Sequence, residues 1–178
     1  FLSASIFLTI LFPVFTFQKT IRKKSIGTRT YQFVDNYRNE LFGEDRSRNR
    51  EIILQIWYPT SQNINKNYTS YIENTPALPM KISNLFGYPG FLFSHFKYVK
   101  TNAVKEVKIS SIKNAYPVLI YHSGLFGSRK FNTSLIENLV SQGYIVVGID
   151  NPGAVAITEF SDGRKIESLS KEEMQALI

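Results

Sequence analysis

The chain contains no cysteine, which removes disulfides, thiolate zinc sites and a cysteine nucleophile together. It also lacks an internal repeat and a low-complexity tract, so repeat architectures are excluded. Acidic residues are in deficit, with 14 Asp and Glu against 21 Lys and Arg and a formal net charge of +7. No basic motif is interleaved with aromatics, however, and nucleic acid is not an expected partner. Position 1 is Phe1 and not methionine, so the chain is expected to be processed or cut from a longer one.

What the chain does have begins with an apolar run. Phe1 to Phe17 carries Leu2, Ile6, Phe7, Leu8, Ile10, Leu11, Phe12, Val14 and Phe15, with only Ser3, Ser5 and Thr9 as small polar interruptions. A membrane span needs roughly 20 such residues, so residues 1–17 are expected to form the visible part of a transmembrane helix. A signal-peptide core fits less well, because the basic cluster follows the run instead of preceding it; a buried core helix is the other alternative. Lys19, Arg22, Lys23, Lys24 and Arg29 form that cluster, and residues 18–27 read as a basic linker facing phospholipid. Membrane is therefore an expected location and partner. The remainder, about 150 residues, suits one modest domain.

The stretch from Tyr116 to Arg129 organises that domain. Pro117 precedes a short apolar strand, Val118, Leu119, Ile120 and Tyr121, expected to be buried, and a turn containing Gly124 follows. Phe131 to Gln142 places Phe131, Leu135, Ile136, Leu139 and Val140 at helical spacing, and Gly143 stands where the helix should stop. Tyr144 to Asp150 is a second apolar run. Two such runs joined by one helix imply parallel strands, with Ser123-Gly124-Leu125 and Asp150-Asn151 at the carboxyl edge where ligands bind.

Upstream, Thr28 to Val34 alternates and Glu51 to Pro59 reads as a strand closed by proline, both expected as antiparallel edge strands leading into the sheet. Residues 61–114 form an insertion, first polar and then aromatic through Phe86, Tyr88, Phe91, Phe93, Phe96 and Tyr98. Pro89-Gly90 should split it into two short helices. The aromatic block reads either as packing on the sheet or as an apolar wall over a site for lipid-like ligands. Ser168 or Ser170 should cap a last helix with acids in its first turn; nothing closes that helix, and the C-terminus is expected to be artificial.

Several segments in this order resemble a known family. Thr30-Tyr-Gln-Phe-Val-Asp35, Arg50 to Pro59 with its Trp57-Tyr58-Pro59 end, Tyr116 to Tyr121, Ser141 to Asp150 and Ser161-Asp-Gly-Arg164 are similar to the platelet-activating-factor acetylhydrolase and lipoprotein-associated phospholipase branch of the α/β-hydrolases. The similarity spans residues 28 to 166 and is nearest to bacterial membrane-anchored members. It implies an α/β fold, namely the N-terminal part of an α/β-hydrolase preceded by a transmembrane helix, with residues 28–178 as the hydrolase portion. The implied activity is carboxylic ester hydrolysis of short or oxidised acyl phospholipid esters by a Ser, Asp, His triad, without metal or cofactor. The implied partners are a lipid or small ester substrate and the membrane.

In that family the strand matching Val118 to Tyr121 runs into Ser-His-Gly and a hydrophobic residue whose backbone N–H is an oxyanion-hole donor. Here the order is His122-Ser123-Gly124-Leu125, so Gly124 and Leu125 match while the two preceding side chains are exchanged, and Phe126 replaces a usual small residue. The resemblance gives Leu125 the oxyanion role and Gly124 a place in the oxyanion loop; His122, Ser123 and Phe126 are candidate pocket residues. The family nucleophile lies later, in a Gly-x-Ser-x-Gly elbow, followed by the acid and base, and none of the three is expected within this chain. Ser123 reads as a loop residue bonding locally, because its neighbour His122 should point to the opposite face. His95 reads as a helix-face residue, and Asp150 as a turn acid bonding the backbone ahead of Pro152. Two other readings stay open: a non-catalytic membrane protein using the hydrolase scaffold for binding, and a dienelactone-hydrolase-like esterase.

Overall fold

The structure, a computed structural model, describes residues 14–20, 25–62, 67–72, 77–112, 114–170, 173 and 175. Strands β1 (Ser25–Asn39) and β2 (Asn49–Thr60) form a long antiparallel pair, in register from Ser25 opposite Thr60 to Asp35 opposite Arg50. Strict alternation in β2 buries Glu51, Ile53, Gln55 and Trp57 on one face while Ile52, Leu54 and Ile56 are half-buried on the other, as a period of two requires. The insertion then supplies helix α1 (Ala77–Phe86), a 3-10 helix (Gly90–Tyr98) and the three-residue strand β3 (Ala103–Lys105), which joins β1 in parallel.

Strand β4 (Val118–His122), helix α2 (Thr133–Gln142) and strand β5 (Ile145–Asp150) complete the sheet. β4 and β5 are parallel, β5 is antiparallel to β2, and the spatial order is β3-β1-β2-β5-β4. α2 ends at Gly143, which takes the left-handed conformation with φ of 101° and donates its N–H to the Leu139 and Val140 carbonyls. It covers the face of Trp57 and Val146 and builds the main core from Ile136 and Val140 against Ile26, Trp57, Ala103 and Val146. A hairpin, β6 (Ile157–Glu159) and β7 (Lys165–Glu167), closes the far end of that face by packing Phe160 and Ile166 on Ile53.

The expected transmembrane helix falls mostly outside the described residues, and other expectations need correction. Residues 1–13 of the expected transmembrane helix lie outside the described residues. Its last four residues are described and are not helical; Phe15 and Phe17 instead pack edge-on against Tyr71, at ring separations of 5.9 and 5.1 Å. Among the described residues no helix is long and apolar enough to cross a membrane. The linker is shorter than 18–27, since β1 already begins at Ser25.

The expected edge strands are interior, because β3 flanks β1 and β5 flanks β2. The expected buried strand is instead the sheet's edge: β4 has β5 as its neighbour, and Val118 and Ile120 are 58% and 73% exposed. An uninterrupted apolar run records the neighbours a strand is suited to, not those present. Phe131 precedes α2 and Leu135 lies on its outer side, both exposed. The expected break at Pro89-Gly90 does divide α1 from the 3-10 helix. At the end of the described chain, Ser170 donates its N–H to Glu173 at 2.7 Å and its Oγ accepts from the Glu173 N–H at 3.1 Å, the reciprocal capping box of a helix start.

Candidate active site

The carboxyl ends of β4 and β5 lie side by side, with His122 in register with Ile149, and the turn of residues 123–128 rises from the end of β4. Its backbone closes on itself through Gly127 N–H to the Gly124 carbonyl at 2.9 Å. It is also tied to the segment after β5, since Phe126 donates its N–H to the Ala154 carbonyl and Gly127 accepts from Ala156, both at 2.8 Å. The segment after β5 is braced in turn, with the Arg50 guanidinium donating to the Asn151 side chain at 2.8 Å. Phe126 pays for this closure with a left-handed backbone, φ of 58°, the kind of local strain that concentrates at functional turns.

Beneath the turn is a buried polar cluster. Arg129 donates its backbone N–H to Asp150 at 2.8 Å and pairs its guanidinium with the same carboxylate. Its Nε donates to the Gln55 carbonyl oxygen at 3.2 Å, and the Gln55 amide donates to the Thr28 hydroxyl at 3.1 Å. Asp150, Gln55 and Thr28 are all buried. Three strands and the turn thus share one network, inside which charge and hydrogen bonds are matched as a buried ion needs.

The expected site residues fall as follows. Gly124 faces open space: a Cβ built on it would have no atom within 4 Å. No hydrogen bond involves the Leu125 N–H among the described residues, and its side chain is exposed. Phe126 is half-buried. His122 is exposed, on the strand face opposite Tyr121. Ser123 is 3% exposed, and its Oγ has no hydrogen-bond partner among the described residues. The expectation that Ser123 bonds locally is therefore incorrect: its hydroxyl is enclosed where the turn folds back, with the Ser123 Cβ 2.8 Å from where a Gly127 side chain would begin. His95 stacks edge-on against Phe96 at 4.7 Å, within the aromatic block.

Asp150 also departs from expectation, bonding Arg129 and not the backbone ahead of Pro152. Arg129 and Gln55 were missed as site residues altogether. The available signal was a charged residue before the helix and another at the end of the strand that follows it, but their pairing spans 21 positions.

The aromatic block stands next to this turn. Ile72 and Leu78 pack with Ala156 and Ile157, and Tyr71, Ile82 and Phe96 lie against that cluster; Ala156 is the residue bonded to Gly127. Burial, with a smaller contribution from Tyr121, pushes the Tyr71 hydroxyl up to about 12.

The chain is similar in structure to a ferulic acid esterase from Streptomyces cinnamoneus, with a TM-score of 0.68 and 25% identity. That match covers 90% of this chain and 42% of the esterase, so the chain spans less than half of that enzyme's length. No curated protein matches it. The profile of platelet-activating factor acetylhydrolase, isoform II, matches residues 38–176, and the parallel strands, the braced turn and this match together place the chain, an α/β-hydrolase in fold, in the isoform II platelet-activating factor acetylhydrolase family.

Proposed function

We propose that the protein is a carboxylic ester hydrolase acting on short or oxidised acyl esters of phospholipids at a membrane surface. The observation that carries this reading is the Leu125 N–H, which makes no hydrogen bond among the described residues and stands at the carboxyl end of a parallel strand in a turn held on both flanks. An N–H fixed in advance at such a place stabilises the oxyanion of a tetrahedral intermediate. Gly124, with no side chain and open space above it, leaves room for the ester carbonyl.

In this reading the serine nucleophile, its acid and its histidine belong to chain following residue 178. The serine oxygen bonds to the ester carbon as histidine takes its proton; the leaving alcohol departs with that proton, and water repeats the sequence to free the acid. No metal or cofactor takes part. The exposed aromatics Phe86, Tyr88, Phe91 and Tyr98, carried on the same insertion as Leu78 and Phe96, which pack with Ala156, support an apolar acyl ester and a membrane-surface location.

The test compares a short-acyl phospholipid with a feruloyl ester and a dienelactone, using the full-length gene product. Preference for the phospholipid is expected, and preference for either soluble substrate would reassign the class. Leu125→Pro removes the amide hydrogen and should lower kcat by about 100- to 1000-fold, whereas Leu125→Ala should have little effect. Unchanged turnover in Leu125→Pro would refute the oxyanion assignment. Residues 1–178 alone should give no turnover; activity abolished by Ser123→Ala would move the nucleophile into this chain. The enclosed Ser123 hydroxyl and outward His122 favour a second reading, a binding scaffold without turnover, which an inactive full-length protein would support.

A further inference from the structure

We propose that Arg129 is a positioning residue for the oxyanion turn, clamped on Asp150 and Gln55 so that the Leu125 N–H is held in place before substrate arrives. The catalytic half of this proposal rests on the esterase reading above; the mechanical half does not. Three observations converge on it. First, Arg129 ends the turn and anchors it twice on one carboxylate, through its backbone N–H at 2.8 Å and through its guanidinium. A single side chain thereby fixes both the path of the backbone and the direction of the arginine.

Second, the sheet is shaped to receive it. Gly148 stands opposite Gln55 in the ladder, and a Cβ there would come within 3.2 Å of the Arg129 Cβ and 2.9 Å of the Trp57 ring. The arginine stem lies over this glycine, while Gln55 meets Nε from the neighbouring strand. Third, the turn above is strained, with Phe126 left-handed, and its backbone ties outside its own neighbourhood go to Ala154 and Ala156 on one flank. A strained turn persists only where its surroundings over-determine it, and the buried pair provides that from below. Displacing an oxyanion donor lowers transition-state stabilisation while leaving ground-state binding nearly untouched, so the signature is in kcat.

The test uses the full-length protein with the double variant Arg129→Met/Asp150→Asn. It removes both charges together, keeps an acceptor for the residue 129 N–H, and avoids stranding a buried ion. Amide hydrogen exchange should quicken at least tenfold at the bonded turn amides, those of Phe126 and Gly127, while β2 and α2 keep their protection. For hydrolysis of a short-acyl ester, kcat should fall about 10- to 100-fold with KM within about twofold, and Arg129→Lys should recover part of both. Unchanged exchange at the turn, or exchange raised equally across the domain, overturns the clamp. Faster exchange at the turn with unchanged kcat overturns its catalytic role. Should the wild-type protein hydrolyse no ester, the esterase reading fails separately, and the exchange pattern still decides the clamp. Should the double variant not fold, Gln55→Leu takes its place and is judged by the same exchange pattern.

Discussion

Gly148 leaves a gap in β5 that is filled from two sides, by the Trp57 ring and by the stem of Arg129. A methyl group there would overlap a buried ring in a packed core, and such overpacking typically costs about 1–3 kcal/mol. Gly148→Ala should therefore lower the unfolding free energy obtained from urea denaturation by that amount; an unchanged value would show that the ring moves aside freely. Glu137 makes a second residue-scale case. It is buried on α2 and accepts from the Asn102 backbone N–H at 2.7 Å and its side-chain amide at 2.8 Å. Burial raises its pKa above the ordinary 4.5, and the bonds from Asn102 and Ala103 only partly oppose that. The folded carboxyl thus holds its proton to higher pH than the unfolded one, so its contribution to stability is full below the unfolded value and is lost as pH rises through the folded value. Urea midpoints of the protein relative to Glu137→Gln should decline as pH rises across that window, and a pH-independent difference would contradict the assignment. Neither residue announced its role in the sequence. Glu137 reads as one more polar residue of an amphipathic helix, and only the approach of Asn102 from 35 positions away gives its carboxylate a partner.

Elements were more legible than residues, because what makes them is local. The alternation that marks β2, the helical spacing of Ile136, Leu139 and Val140, and the glycine that ends α2 all operate within a few residues of chain. Gly143 has the left-handed φ of 101° and caps two carbonyls of the last turn, a conformation that costs a residue with a Cβ roughly 1–2 kcal/mol. Gly143→Ala should be destabilising by about that amount in thermal or urea unfolding, with the far-ultraviolet spectrum otherwise retained; a neutral result would mean that the helix end readjusts. Register and neighbours were less legible. β1 extends to Asn39 with an irregularity between Asp35 and Asn39, where the sequence turns polar and offers no apolar pattern to follow. β3 is three residues long, too short for periodicity to reveal, yet it is what makes β1 an interior strand.

At the scale of the molecule, the sheet is covered on one side and, among the described residues, largely open on the other. Helix α2 and the β6–β7 hairpin cover the face of Ile53, Trp57 and Val146. The opposite face presents Tyr31, Phe33, Val118 and Ile120 to solvent, although parallel pairs of strands are normally covered on both faces. Residues 1–178 produced alone should therefore bind a hydrophobic dye and associate with rising concentration, since an exposed apolar edge invites pairing. Phe33→Lys with Ile120→Lys should weaken both without lowering the unfolding midpoint. Equal dye binding in this variant would place the accessible apolar surface elsewhere, the aromatic block of residues 77–98 being the alternative.

Pattern along the chain was enough to establish the class of fold, the parallel strand, turn and helix unit, the split of the insertion at Pro89-Gly90 and the place of the Leu125 turn. Those features depend on residues within one turn of helix or one pleat of strand, and the sequence displays such neighbours directly. Which strand forms the edge, which side of the sheet is buried, and which partner Asp150 finds were settled by assembly. They depend on contacts such as Arg129 with Gln55 and Arg50 with Asn151, separated by 74 and 101 positions. The energy of such a contact is shared between two distant stretches, and neither stretch carries a mark of the other.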